Sequence, residues 1–363
     1  MRVLVVNTGS SSVKLRLLDE GELAGSTDLG APSTLDDSDW SDAIAALAGE
    51  SGVDAAGHRI VHGGPDFTAP VVVDDKVRSA LEAVVELAPL HLPASLAGLD
   101  AVRSALPSVP SIGCFDTAFH ATMPAAATTY AVPAAWRSLG VRRYGFHGLS
   151  HAYSARRAAE ILGRPVEDLR LVSCHLGAGA SLCAVHSGRS VDTTMGFTPL
   201  EGVVMATRSG SVDPGLVLWL QRQRGLSADE VSDGLERHSG LLGLAGTADM
   251  REVLSRMSTD DQEARLAFEV YVHRLKAAIA AMAASMSGVD AVSFTGGVGE
   301  RAPAVREGAV AGLEYLGLAV NPGQNEAARG DANVSAPGVP ASVAVVTARE
   351  DLEIAAQVSR LLG

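Results

Sequence analysis

The sequence predicts an α/β protein built from two similar halves, and three observations lead to this prediction. A β-rich hairpin at residues 3–18 and a second one at residues 171–185 each enclose a short polar turn that contains glycine. Elsewhere, short apolar runs typical of strands alternate with segments of helical spacing. The chain has 363 residues, of which 47% are hydrophobic, which is enough for two globular domains.

The first hairpin carries an informative turn, which runs from Asn7 to Lys14. Gly9 lets backbone N–H groups approach a ligand closely, and Lys14 adds a positive charge, so the turn can cradle an anion such as phosphate. A surface hairpin with a serine-rich turn is the alternative. In the second hairpin, His175 takes the place of Asn7 and Gly177 that of Gly9, which favours the hypothesis of a duplicated architecture.

The remaining elements follow from hydrophobic spacing and from the positions of Gly and Pro. The acidic segment 33–42 is predicted to be a surface loop that leads into a helix, and segments 125–148 and 321–338 are predicted to be irregular. Strands are predicted at 53–62, 109–115, 289–294 and 343–346. Helices are predicted at 74–87, 95–106, 149–162, 214–224, 228–238, 250–255, 260–286, 303–312 and 351–362.

The composition limits which classes of binding partner and which cellular compartment are expected for the protein. The net charge of −13 argues against nucleic acid as a partner, so any anion site must be built locally. The three cysteines, Cys114, Cys174 and Cys183, lie in apolar runs without metal-ligand spacing and are expected to be reduced, as in a cytoplasmic protein. The apolar run at 1–6 is too short for a signal peptide, and no run is long enough to span a membrane.

Four polar residues lie where chemistry is expected. Arg59 interrupts an apolar strand, which is costly unless the charge is paired; a structural salt bridge is the alternative. Arg208 lies in a Gly/Ser-rich loop that also reads as the capped start of a helix. Asp116 follows a strand, at the edge where open α/β sheets bind ligands. His147 stands between Phe and Gly at a helix start, where it can meet an anion.

A glycine-rich stretch after a predicted strand indicates a nucleotide loop. Residues 297–302 match the pattern G-x-G-x-x-A, but the acidic residue expected about 20 positions later in a dinucleotide site is missing. A mononucleotide loop is therefore favoured over an NAD site. No P-loop, G-x-S-x-G or H-E-x-x-H motif is present. Glycine turns, two arginines, histidines and a few carboxylates suit phosphoryl transfer, in which the protein positions groups and neutralises charge.

Taken in order along nearly the whole chain, these motifs resemble the acetate kinase family, within the superfamily of acetate and sugar kinases, Hsp70 and actin. The resemblance implies two similar domains of the actin/Hsp70/sugar-kinase type (ribonuclease H-like) with an interdomain cleft. It places the first domain at residues 1–117 plus 351–363. The second domain, at 118–350, is expected to bind nucleotide and to form a homodimer.

The resemblance also implies a role for each motif residue. The catalytic residues are Asp116, His147 and Arg208. The substrate is bound by Arg59 at its carboxylate and by Val61, Leu90, Phe146 and Pro199 at its methyl group. Nucleotide is bound by Lys14, His175, Leu176, Gly177, Ala178, Gly179, Asp249, Met250, Arg251, Gly297, Val298, Gly299, Glu300 and Arg301. Mg²⁺, with Mn²⁺ as an alternative ion, is bound by Asn7 and Glu350.

The sequence departs from the family at three positions near the expected nucleotide. Ala178 stands where the family has Asn, Ala206 where it has Gly, and Arg301 where it has Asn. The first two departures lie beside the expected path of the phosphates. They leave open the nucleotide affinity and the choice of phosphoryl donor.

The expected reaction is reversible, ATP-dependent phosphorylation of acetate to acetyl phosphate by direct in-line transfer. A carboxylate with a pKa of about 4 is already an anion at neutral pH and needs no general base. Asp116 is therefore expected to orient an arginine or Mg²⁺-bound water more than to abstract a proton. A kinase for propionate or a sugar, and a non-enzymatic ATP-dependent switch, are the alternatives. Arg59, Arg208 and His147 argue against the switch, which has no anionic acceptor to hold.

Overall fold

The computed structural model describes residues 1–9, 12–49, 51–89 and 92–363, which divide into two compact units. Unit 1 consists of Met1–Ala121, Phe146–Tyr153 and Arg349–Gly363, and unit 2 consists of Thr122–Gly145 and Ser154–Ala348. Unit 1 thus has a middle segment that the predicted boundaries do not include. This segment belongs there because its Leu149 packs in one apolar core with residues of the first and last segments.

The elements alternate along the chain as in an α/β protein. The strands of unit 1 are β1 (Arg2–Thr8), β2 (Val13–Asp19), β3 (Glu22–Leu29), β4 (Ala55–Ile60), β5 (Val71–Val72) and β6 (Ser111–Phe115). Those of unit 2 are β7 (Arg170–Leu176), β8 (Ala180–His186), β9 (Arg189–Thr193), β10 (Ala291–Thr295), β11 (Ala332–Asn333) and β12 (Ser342–Val345). The helices are α1 (Asp37–Ala48), α2 (Asp75–Ala83), α3 (Leu92–Ala105), α4 (Ala125–Thr128), α5 (Ala134–Arg137), α6 (Gly148–Leu162), α7 (Pro214–Arg224), α8 (Ala228–Arg237), α9 (Gly240–Ala245), α10 (Met250–Met257), α11 (Gln262–Ser285), α12 (Gly296–Arg301), α13 (Pro303–Val310), α14 (Pro322–Ala327) and α15 (Glu350–Leu362).

The two sheets have the same topology. Unit 1 has the strand order β3-β2-β1-β4-β6-β5, and unit 2 has β9-β8-β7-β10-β12-β11. In each sheet the first three strands are antiparallel, the next two add in parallel, and a short antiparallel strand closes the edge. Each sheet also shows an irregular register, between β2 and β3 in unit 1 and between β8 and β9 in unit 2. This correspondence confirms the prediction of two similar halves.

Both faces of the unit 1 sheet are covered by helices. Residues Val3 and Val5 of β1 pack against α15, whereas the alternate residues Leu4 and Val6 pack against α1 and α3. This alternation is the period of an extended strand with two buried faces. Helix α15 comes very close to β4, since a Cβ on Gly57 would lie 2.5 Å from Ile354 Cγ2. Glycine is thus required at that position for close helix–sheet packing.

The prediction of a loop over residues 33–42 that leads into a helix is wrong from residue 37 onward, because the helix begins there and acidic residues cap it. Asp36 Oδ1 accepts bonds from the backbone N–H of Ser38 and Asp39, and Asp39 Oδ2 accepts one from Asp36 N. This capping box begins α1 at Asp37. The segment 321–338 is likewise not wholly irregular, since Asn321 caps α14 by accepting from Gln324 N.

The sequence analysis also missed strands β3 and β9, each of which lies next to the second strand of its hairpin. Strand β3 contains no buried residue, and its polar composition resembles that of a loop. Among the described residues, no helix is long and apolar enough to cross a membrane.

Candidate active site

Polar residues of unit 1 converge at one edge of its sheet. Asn7 lies near the end of β1, Arg59 near the end of β4, and Asp116 directly after β6. These three strands are parallel neighbours, so their carboxyl ends meet at the same edge. Glu350, the first residue of α15, joins them there. The structure thus brings together four of the predicted site residues.

Asp116 holds Arg59 through a bidentate ion pair. Arg59 Nε donates to Asp116 Oδ1 at 3.1 Å, and Nη2 donates to Oδ2 at 2.6 Å. Burial disfavours the charge of Arg59, but the carboxylates of Asp116 and Glu350 outweigh this effect and raise the pKa of the guanidinium. The Asp116 side chain is only 2% exposed. The pair is therefore held in one geometry, as expected for a carboxylate that orients an arginine.

The guanidinium of Arg59 retains donors for a further acceptor. Its Nη1 donates to Asn7 Oδ1 at 3.1 Å, and its Nε lies 3.8 Å from Glu350 Oε2. Toward residues that the structure describes, Arg59 uses one N–H group on each of its three nitrogens, out of five in total. The remaining two N–H groups suit the carboxylate of a substrate.

Asn7 and Glu350 present oxygen atoms suited to a hard cation. Asn7 Nδ2 donates to Glu350 Oε2 at 3.3 Å, which holds the two side chains side by side. Within the described part of the chain, no group of three or more His, Cys, Asp or Glu residues could hold a metal. Mg²⁺ is usually bound by one or two protein oxygens, with phosphate oxygens and water completing the shell. The residues present fit such an ion and do not form a closed metal cage.

His147 stands at the beginning of α6 in a strained backbone conformation. Its φ is +57°, a value that is uncommon for residues other than glycine and is often found at functional sites. The next residue fixes it beside Asp116: Gly148 N donates to Asp116 O at 2.8 Å, and a Cβ on Gly148 would collide with that oxygen. His147 and Asp116 are thus positioned through the same backbone contact.

The predicted acyl-contacting residues have different locations. Phe146 and Val61 are buried in unit 1, where the Phe146 ring meets the ring of His62 edge-on at 5.4 Å. Pro199 belongs to unit 2. Leu90 lies outside the described residues. An acyl pocket formed by all four remains a prediction.

In unit 2, two of the predicted nucleotide segments are adjacent. The turn 175–179, whose first two residues are the last of β7, leads into β8 and is closed by a bond from Gly177 N to Gly179 O at 2.9 Å. The segment 297–301 forms most of α12, whose first residue, Gly296, has φ +79°. A Cβ at Gly296 would lie 2.8 Å from Leu176 O, so α12 begins directly against the turn.

The other nucleotide candidates lie elsewhere. Asp249 caps α10, and its Oδ2 accepts from Arg251 Nη2 at 2.5 Å, whereas Met250 is buried. Lys14 belongs to unit 1, where it lies opposite Asn7 in the first hairpin. Roles for these residues in nucleotide binding stay predictions.

Arg208 is a half-buried cation in a loop that is held by backbone bonds. Its Nη1 donates to Pro199 O at 3.0 Å, and it forms no ion pair with any residue that the structure describes. Burial lowers the pKa of its guanidinium, and the charge of Glu236 only partly opposes this effect. Ala206 N donates to Ala178 O at 3.1 Å, which joins the Arg208 loop to the turn 175–179. The arrangement suits an anion held between them.

The chain is similar to known proteins along nearly its whole length. The model of the acetokinase family matches residues 40–356. The chain belongs to the acetokinase family. It is 46% identical, over an alignment 396 positions long, to an acetate kinase of Streptomyces coelicolor, and the alignment covers 100% of this chain and 97% of that protein.

Solved structures of acetokinase relatives extend the agreement to the fold. Porphyromonas gingivalis acetate kinase is 36% identical with a TM-score of 0.92, and the match covers 100% of both chains. A propionate kinase from Francisella tularensis is 32% identical with a TM-score of 0.90, covering 98% of both chains. The predicted resemblance and the predicted fold class are confirmed.

The sequence analysis of this acetokinase-family chain missed one polar network in unit 2. Glu201 accepts from Tyr130 at 2.5 Å and from Arg143 Nη2 at 2.7 Å. A Cβ on Gly196 would collide with Glu201 Oε2 and with the Tyr130 hydroxyl. The network fixes the loop that carries Pro199, whose carbonyl holds Arg208. Its members are far apart in sequence, so spacing gave no signal.

Proposed function

We propose that this chain is an acetate kinase, which transfers the γ-phosphate of ATP to acetate and gives acetyl phosphate and ADP, reversibly and by direct in-line transfer. The observation that carries the proposal is Arg59, held at the edge of the sheet by Asp116 with N–H groups left for a second carboxylate. Membership of the acetokinase family supports the same reaction.

The main barrier to this reaction is repulsion between two anions, because acetate is already charged at neutral pH. Arg59 binds and orients the acetate carboxylate, and Asp116 keeps the guanidinium in place. Arg208 and His147 stabilise the charge on the transferring phosphoryl group. Asn7 and Glu350 would hold Mg²⁺, which would supply positive charge to offset that of the phosphates. No residue has to act as a general base.

In this proposal, segments 175–179 and 297–301 bind ATP, and Lys14 and residues 249–251 make further contacts with it. The adjacency of the turn 175–179 to α12 supports this assignment. Ala178 and Ala206 supply no polar side chain beside the phosphates. They leave binding there to backbone groups and to Arg208.

Three buried free cysteines favour a cytoplasmic location.

A hydroxamate assay with ATP and Mg²⁺ tests the proposal directly. Acetate, propionate, butyrate and a panel of sugars are offered in parallel, and acyl phosphate and ADP are measured. We expect acetate to be the best acceptor, propionate slower and butyrate poor. Turnover of a sugar without any acid, or ATP hydrolysis that no acceptor increases, would overturn the assignment.

Propionate remains a second candidate substrate, since a propionate kinase shares the fold closely. Val61→Ala is expected to raise the propionate-to-acetate ratio of kcat/KM, because the shorter side chain makes room for one methylene. One methylene in an apolar pocket is worth about 1–3 kcal/mol, so the ratio should rise several-fold. Competing steady-state assays of the two acids measure it.

Val72→Ala is the matched control, since Val72 is 43% exposed on β5. It should leave the ratio unchanged. An unchanged or lower ratio in Val61→Ala would show that Val61 does not contact the acyl group. Wild-type preference for propionate would change the substrate and keep the mechanism.

We propose that the chain forms a homodimer through unit 2. Helix α7 has no buried residue, and its segment exposes Val212, Leu216, Leu218 and Trp219. Helices of folded proteins normally bury an apolar stripe, and a cluster of exposed apolar side chains marks an interaction surface. A second copy of the chain is the partner that the family resemblance favours.

The double variant Leu216→Glu with Trp219→Glu is expected to be a monomer, because two charges would have to be desolvated at the interface. Size-exclusion chromatography with light scattering reports the mass. Tyr315→Glu, at a residue 73% exposed in the same unit, is the control and should stay dimeric. A dimeric double variant, or a monomeric wild type, would contradict the proposed interface.

A further inference from the structure

Arg306 is a fully buried arginine in α13 that the proposed mechanism does not use. Its side chain is 1% exposed, and among the described residues it has no carboxylate partner in an ion pair. Burial lowers the pKa of its guanidinium to about 10. A buried cation without a counter-ion is costly unless strong hydrogen bonds compensate for the lost water.

The compensating bonds of Arg306 lead to the nucleotide segment. Nη1 donates to Gly299 O and to Glu300 O, both at 2.9 Å. These carbonyls belong to the last turn of α12, where a helix leaves its C=O groups without intrahelical donors. A positive charge at this end of a helix is also favoured by the helix dipole. Arg306 therefore restrains the backbone of α12 through these two carbonyl groups.

The other edge of the guanidinium is held by Asn325 in α14. Nε donates to Asn325 Oδ1 and Nη2 to Asn325 O, both at 2.7 Å. Asn325 is itself 1% exposed, and its Nδ2 donates to Pro303 O at 2.9 Å. Arg306 has little rotational freedom, because both of its edges are bonded to buried acceptors. Through Arg306, the backbone of α12 is thus held in a fixed position relative to Asn325 in α14.

We propose that Arg306 is a positioning residue for the nucleotide: it holds residues 297–301 in the conformation that binds ATP and ADP. The inference rests on the proposed function, in which this segment contacts the nucleotide. Because the hydrogen bonds of Arg306 go to α12 and to Asn325, its replacement is expected to change nucleotide affinity and not acetate binding. A purely stabilising role would lower the melting temperature and leave nucleotide affinity unchanged.

The test compares Arg306→Met, Arg306→Lys and the control Arg265→Met. Arg265 forms an exposed ion pair with Asp260 in the same unit, so its replacement removes an arginine without touching α12. The dissociation constant for ADP is measured by calorimetry without acetate. The KM values for ATP and acetate, kcat and the melting temperature are measured on the same preparations.

Arg306→Met should weaken ADP binding roughly tenfold to a hundredfold, the range for lost hydrogen bonds to a charged group. The KM for ATP should rise in parallel, while the KM for acetate stays within about twofold of wild type and the control is unchanged. Arg306→Lys should show a smaller loss of affinity, because it keeps the charge and loses the planar fork.

Three results would overturn the inference: unchanged ADP affinity in folded variants, an equal rise of both KM values, or failure of both variants to fold. If Arg306→Met alone does not fold, Arg306→Lys decides. A wild-type protein that binds ADP but phosphorylates no carboxylate would refute the proposed reaction and leave the role of Arg306 standing.

Discussion

Arg208→Ala is expected to lower kcat by about 10²–10³ while the KM for ATP changes only a few-fold. Arg208 is a half-buried cation without an ion-pair partner among the described residues, so its charge is available to a transferring phosphoryl group. Its loop is held by backbone bonds, such as Met205 N to Arg208 O at 3.1 Å, that the substitution leaves intact. Initial rates in both directions measure the effect.

The control for Arg208 is Arg237→Ala, which removes a guanidinium that is 63% exposed and paired with Asp233 on α8. That variant should retain full turnover, since exposed ion pairs contribute little. Arg208→Lys should recover part of the rate through its charge. Turnover near that of wild type in Arg208→Ala would remove this residue from the mechanism.

Arg59→Ala is expected to lower kcat/KM for acetate by about 10²–10³, mainly through poorer use of the carboxylate. The substitution removes the oriented fork and also leaves Asp116, 2% exposed, without its ion-pair partner. Loss of one partner from a buried pair costs up to about 3–5 kcal/mol of stability, so the melting temperature must be followed as well. Steady-state curves for acetate and for ATP separate the two effects.

Two further variants distinguish positioning from charge at this pair. Arg59→Lys keeps the charge but not the planar fork, and it should recover only part of the activity. Asp116→Asn keeps the shape of the side chain and loosens the guanidinium, so it should lower activity although no proton is abstracted. An unchanged KM for acetate together with an unchanged kcat in Arg59→Ala would refute the assignment.

The part of the site that the sequence could predict is the position of Asp116 directly after a strand, whereas Arg59 was predicted to lie within one. Asn7, Arg59 and Asp116 each come near or after the end of a strand, and parallel strands bring such residues to one edge. The sequence indicated that Arg59 needs a partner, but not which carboxylate supplies it. Choosing Asp116 requires the order of the strands in the sheet, which no local pattern contains.

Other features could not be predicted from the sequence. Some depend on contacts between segments that are distant in sequence, and others involve helix caps whose residue types are also typical of loops. Tyr130 and Glu201 are bonded across a long stretch of sequence, and neither residue type is unusual in its own surroundings. Arg306 lies within a correctly predicted helix, where an arginine is ordinarily exposed. Asp36 and Asp39 were misread because caps and loops favour the same residue types.

Unit 1 is completed by residues 349–363, which follow all of unit 2 along the chain. During synthesis, unit 2 therefore has every residue of its own core before unit 1 does, which reverses the usual order in which N-terminal domains fold first. Nascent chains that end after Ala348, held on the ribosome through an added linker long enough to clear the exit tunnel, should contain a protease-resistant unit 2 and a protease-sensitive N-terminal region. Equal resistance of both regions would contradict this order. The edge that carries Arg59 and Asp116 would thus acquire Glu350 only after unit 2 has been synthesised in full.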